Sequence, residues 1–86
     1  MTKEREILDR LRDGYWHRGL ELVKASEAEG GKLGRVTIYV HLARLEEAGF
    51  VLSRYEDAPV DPNIGIARRE YSITSRGRAA LLRDDL

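Results

Sequence analysis

Residues 32–49 read KLGRVTIYVHLARLEEAG, and this stretch decides the fold. Its spacing predicts a helix from Gly34 or Arg35 to Ala48, ended by Gly49. At about 100° per residue, Ile38, Leu42 and Leu45 share one side and should face a core. The opposite side carries Val36, Thr37, Val40, Ala43, Arg44 and Glu47. Tyr39 falls on a flank and His41 nearer the core edge. Valines are poor company for bulk water, so Val36 and Val40 imply something that docks. From Gly30 to Leu45 the chain holds Lys32, Arg35 and Arg44 and no acid.

Upstream, Gly19 to Glu29 reads as a helix. Leu20, Leu22, Val23, Ala25 and Ala28 give it a broad apolar face, and Gly30-Gly31 stops it. The link to the next helix is therefore short and glycine-rich, as in a helix-turn-helix. Glu4 to Arg12 reads as a first helix with an Ile7, Leu8, Leu11 stripe, closed by Gly14. Between them lies Tyr15-Trp16-His17. Its two large aromatics are expected to plug the core in preference to binding a ligand.

Downstream, Phe50 to Glu56 and Arg69 to Thr74 are rich in strand-forming residues. The connection from Asp57 to Arg68 is too long for a tight turn, and Pro59 and Pro62 oppose pairing along it. An extended wing is the natural reading. Thr74 or Ser75 should cap a last helix striped by Ala79, Leu82 and Leu86. The order is helix, helix, helix, strand, wing, strand, helix. The fold class expected is mainly α with a small β-hairpin, a winged helix-turn-helix, in one domain over residues 1–86.

Fifteen basic and fifteen acidic residues cancel, which counts against a non-specific nucleic-acid coat. Distribution matters more than the sum. Acids gather at Glu4 to Asp13, Glu21 to Glu29, Glu46-Glu47, Glu56 to Asp61 and Asp84-Asp85, leaving basic stretches between. The chain has no cysteine, which excludes disulfides and thiolate metal sites. No apolar run approaches the roughly 20 residues that span a bilayer, and the charged N-terminus is unlike a signal peptide. A cytoplasmic protein without membrane contact is expected.

Several segments resemble the PadR-like family of winged-helix transcriptional regulators. Gly19-Leu20-Glu21-Leu22 resembles the start of that family's second helix. Thr37-Ile38-Tyr39, then Leu42, Arg44-Leu45-Glu46 and Gly49, resembles its third. Arg69-Glu70-Tyr71-Ser72-Ile73-Thr74, then Gly77-Arg78 and Ala80-Leu81, resembles its second wing strand and following helix. The likeness runs from about Ile7 to Leu82. The family usually has an aromatic at the position of Leu20 and often a proline at that of Val40. Its members generally carry a longer C-terminal helical region that builds the dimer. With its last residue at Leu86, this chain is expected to be a minimal member lacking that region, or a piece trimmed from one. The resemblance implies a DNA-binding regulator in which Tyr39 touches the DNA backbone.

The residues support the same reading. A major groove admits one α-helix. Arg44 could reach guanine O6/N7 or a phosphate, and Thr37, Val36 and Val40 could meet thymine methyls. The Tyr39 hydroxyl suits a phosphate oxygen. Lys32 and Arg35 sit where free N–H groups and the helix dipole attract phosphate. In the wing, Arg68 and Arg69 could reach the minor groove or flanking phosphates, with Asn63, Ile64 and Gly65 at the tip. The plainer alternative for the wing is a solvated hairpin with Arg69 paired to Glu70 or Glu56. Arg76 and Arg78 could touch phosphate or simply solvate a helix end.

Enzyme chemistry has little support. His17 and His41 lack a histidine or cysteine partner at i+3 or i+4, and no glycine-rich phosphate loop follows a strand. No catalytic residue, metal or cofactor is expected. Double-stranded DNA is the expected partner, with a small-molecule effector left open. The competing function is protein docking without DNA, through Val36, Tyr39 and Val40. A homodimer through the first and last helices is expected from the symmetry of palindromic sites, with Leu8, Leu11, Leu82 and Leu86 as candidates. The alternative is that these leucines serve the monomer core.

Overall fold

The computed structural model describes residues 2–55 and 69–83. Along them run α1 (Lys3–Arg10), β1 (His17–Arg18), α2 (Gly19–Ala28), α3 (Ile38–Glu47), β2 (Val51–Tyr55), β3 (Arg69–Ile73) and α4 (Ser75–Arg83). This is a winged helix-turn-helix. The expected wing over 57–68, with Arg68, lies outside the described residues.

Each helix starts and stops for a local reason. Thr2 caps α1 by accepting the Arg5 N–H at 3.1 Å, and Glu4 and Glu6 occupy its positive end. Gly14, Gly30 and Gly49 take positive φ just past the first three helices. At Gly49 the geometry is most telling. Phe50 N–H reaches back to Leu45 O at 2.9 Å, turning the chain directly into β2. Thr74 then joins strand to helix. Its hydroxyl donates to Gly49 O at 2.7 Å and accepts the Gly77 N–H at 3.0 Å.

The sheet order is β1-β3-β2, all antiparallel. Val51 opposes Ile73, and Tyr55 opposes Arg69. The core gathers Ile7, Leu8, Leu11, Leu22, Val23, Leu33, Ile38, Leu42, Leu45, Val51, Tyr71 and Leu81. Ile38, Leu42 and Leu45 face inward as their spacing requires.

Four expectations are corrected. Tyr15 and Trp16 do not plug the core. Tyr15 is 72% exposed, and Trp16 is half-buried beneath the Arg54 guanidinium, 4.1 Å from its ring centroid. The reason is β1, an edge strand that sequence reading missed. His17 pairs with Tyr71 there, which carries the preceding aromatics along the sheet and not under it.

The buried stripe of α2 is narrower than expected. Leu22, Val23 and Ser26 are buried, while Leu20, Ala25 and Ala28 face solvent. In α4 the inward residues are Gly77, Ala80 and Leu81, and Leu82 is 88% exposed. Gly77 sets that rotation. A Cβ there would collide with Phe50 O, so the bare backbone is the side that fits against the chain entering β2. Finally, Leu8 and Leu11 are fully buried in the core of the single chain and are unavailable to a dimer. Leu86 lies outside the described residues.

Candidate nucleic-acid interface

The turn between α2 and α3 is built on one serine. Ser26 is fully buried, and its hydroxyl donates to Glu6 Oε2 at 3.0 Å while accepting Leu33 N–H at 3.3 Å. Gly31 N–H donates to Ser26 O at 2.7 Å. Arg10 bonds the same Glu6 oxygen at 3.1 Å and reaches Glu29 at 3.0 Å. So α1 clamps both ends of the turn, and Leu33 is pinned in the core as the chain enters α3. A serine at i+3 and i+4 from Val23 and Leu22 was the readable signal, since a polar group inside an apolar stripe needs partners.

Residues 35–37 form a turn before the regular helix, so α3 starts later than Gly34 or Arg35. The expected start is nonetheless visible in the hydrogen bonds, because Ile38 N–H donates to Gly34 O at 3.0 Å. Val36 on this turn is 86% exposed, and Val40 one turn further is 50% exposed. Thr37, Ala43, Arg44 and Glu47 are exposed with them. Tyr39 is 46% exposed on the flank. Lys32 and Arg35 are exposed at the approach, with Arg35 Nε a loose 3.9 Å from Glu27. Seven expected residues therefore lie on one continuous segment, Lys32 to Arg44, and share exposure.

One acid does reach this helix, from another element. Glu4 of α1 lies 3.2 Å from His41 Nδ1 and 4.0 Å from Arg44 Nη1. The first contact has ion-pair distance without hydrogen-bond geometry, and the second is loose. Glu4 thus lies against the inner edge of α3 and leaves the Arg44 side chain 67% exposed. Nothing local in the sequence could have found this contact.

At the hairpin, Arg69 is exposed and its guanidinium lies 4.8 Å from the centroid of the Tyr55 ring. The alternative pairing of Arg69 with Glu70 is not made. Glu70 bonds Arg54 Nε at 3.2 Å instead. Neighbours in a strand point to opposite faces, so Glu70 meets Arg54 across the ladder, and Arg69 meets Tyr55.

His17 stands between two carboxylates. Burial opposes its protonation, but hydrogen bonds with Asp13 at 2.9 Å and Glu21 at 3.3 Å outweigh it and raise its pKa. Both carboxylates belong to surface residues, and the arrangement suits a structural clamp between the α1–β1 link and α2. Among the described residues no three His, Cys, Asp or Glu side chains converge as metal ligands would. No helix there is long and apolar enough to cross a membrane.

Comparisons with known proteins agree with this architecture. No curated protein matches the sequence. A candidate transcriptional regulator from Thermoplasma acidophilum is 31% identical, with a TM-score of 0.76 over 93% of this chain and 71% of that one. A PadR family regulator from Eggerthella lenta is 23% identical, with a TM-score of 0.80 over 95% of this chain and 67% of that one. PadR of Bacillus subtilis, solved in complex with operator DNA, is 21% identical, with a TM-score of 0.76 over 96% of this chain and 46% of that one. The last two likenesses concern the fold. The model of the transcriptional regulator PadR-like family matches residues 7–83, nearly the whole chain. The chain belongs to the PadR-like family of transcriptional regulators.

Proposed function

We propose that this chain binds double-stranded DNA in a sequence-specific manner and regulates transcription by covering promoter DNA. The carrying observation is the uncovered side of α3 and its approach, where Val36, Tyr39, Val40 and Arg44 stand exposed and the first turn bears no acid. In this reading α3 enters the major groove. Arg44 takes guanine O6/N7 or a phosphate, while Val36, Thr37 and Val40 meet thymine methyls. Tyr39 gives its hydroxyl to a phosphate, and Lys32 and Arg35 hold the backbone at the approach. Arg69, with Arg68 beyond it, serves the flanking backbone or minor groove. That a Bacillus subtilis relative was solved in complex with operator DNA supports DNA as the partner.

The reading carries no catalysis, cofactor or membrane, and places the chain in the cytoplasm beside its DNA. Two copies on a palindrome, their helices roughly 34 Å apart, would double the contacts. Leu82, exposed beside Arg12 and Arg78, is the apolar residue α4 leaves for such a partner.

Selection of bound duplexes from a random pool at two salt concentrations tests the proposal. Enrichment of an inverted repeat is expected, with log affinity falling steeply against log salt as phosphates are neutralised. No enrichment, or a shallow slope, would replace it with protein docking through the same valines and tyrosine.

A further inference from the structure

Gly19 opens α2 and is buried. Its φ lies outside the left-handed region, so no turn demands a glycine there. Alanine is the better helix former, and local propensity would favour it. What excludes a side chain is Tyr39. A Cβ on Gly19 would lie 2.9 Å from Tyr39 Cε1, 3.1 Å from Cζ and 3.3 Å from Oη. The outer half of the phenol ring therefore rests on the bare backbone of Gly19. The residue is also 46% exposed, so the ring has one side seated and one side open.

We propose that Gly19 is a positioning residue for DNA contact. Its missing side chain is the seat that fixes the Tyr39 hydroxyl where a phosphate can accept from it. The role rests on the DNA reading above and says how α2 serves it. A phenol on two free torsions would have to be ordered when DNA binds, and a seated one is already ordered. The crowded atoms are the far end of a side chain with an open side. An added methyl would swing the ring away at little cost to the fold, so stability and DNA affinity should separate.

The test uses Gly19→Ala, Tyr39→Phe and the double variant, each titrated with the duplex selected by the unaltered chain and each melted. Gly19→Ala should bind about tenfold more weakly, as for one lost hydrogen bond to a charged group. Its melting temperature should stay unchanged. Tyr39→Phe should lose a similar factor, and Gly19→Ala should then add nothing. Full affinity in Gly19→Ala, or an equal further loss in the Tyr39→Phe background, overturns the role. In the free protein, proton contacts between the Gly19 methylene and the Tyr39 ring are expected by NMR. Their absence overturns it even if Gly19→Ala fails to fold. An unaltered chain that retains no duplex defeats the DNA reading itself, a result seen before any variant is compared.

Discussion

Ser26 gives its hydroxyl proton to Glu6 across 3.0 Å, and this bond helps tie α1 to the turn that presents α3. The same oxygen accepts the buried Leu33 N–H. Ser26→Ala should therefore leave that N–H without a partner and cost about 1–3 kcal/mol. Urea denaturation measures it. A change within error would show that water or a shifted backbone satisfies the group.

Ile38 is fully buried at the start of α3. Truncation to alanine removes packing against the core and leaves a void, and should destabilise by about 2–5 kcal/mol. Thermal unfolding of Ile38→Ala that matches the parent would mean the helix does not use this face.

Arg44 is tethered to Glu4 only at 4.0 Å, so DNA can recruit it without breaking a tight pair. Arg44→Ala should lower affinity for the selected duplex by about 1–3 kcal/mol, the cost of a lost base contact. The same variant should lose less on duplexes changed at the contacted base. Fluorescence anisotropy decides this, and equal losses on every sequence would make Arg44 a phosphate contact.

The Asp13–His17 pair makes stability depend on pH at both ends. His17 is raised above 6.5, so its contribution is whole below 6.5 and fades as pH climbs through the folded value. Asp13 is lowered below 3.8. Burial works against that, but the His17 hydrogen bond and the Tyr15 N–H outweigh it, so its contribution fades as pH falls. With Asp13 at 42% exposure the whole effect should not exceed about 1 kcal/mol. The parent should lose stability as pH rises above 6.5, and melting curves of His17→Gln should lack that decline. An identical profile would show that other groups govern it.

The helices were legible because their signals are local. Ile38, Leu42 and Leu45 declare a face by spacing alone, and Gly14, Gly30 and Gly49 mark where helices must end. Exposure of Val36 and Val40 followed from the same geometry, as the complement of the buried side. The inward face of α4 was misread because its rotation is fixed by Gly77 meeting Phe50 O, a contact between separate elements. Strand β1 was missed because two residues carry no period, and only the presence of β3 beside them makes a strand.

Chain order and side-chain spacing thus determined the winged helix-turn-helix and the segment that confronts a partner. Folding decided what stands behind that segment. It set Glu4 against His41, Ser26 beneath Leu33, Tyr55 under Arg69 and Gly19 under Tyr39. Periodicity reports which side of one helix avoids water, a property each element has by itself. Pairings between elements depend on how their faces rotate and pack together, and no single stretch of chain contains that information.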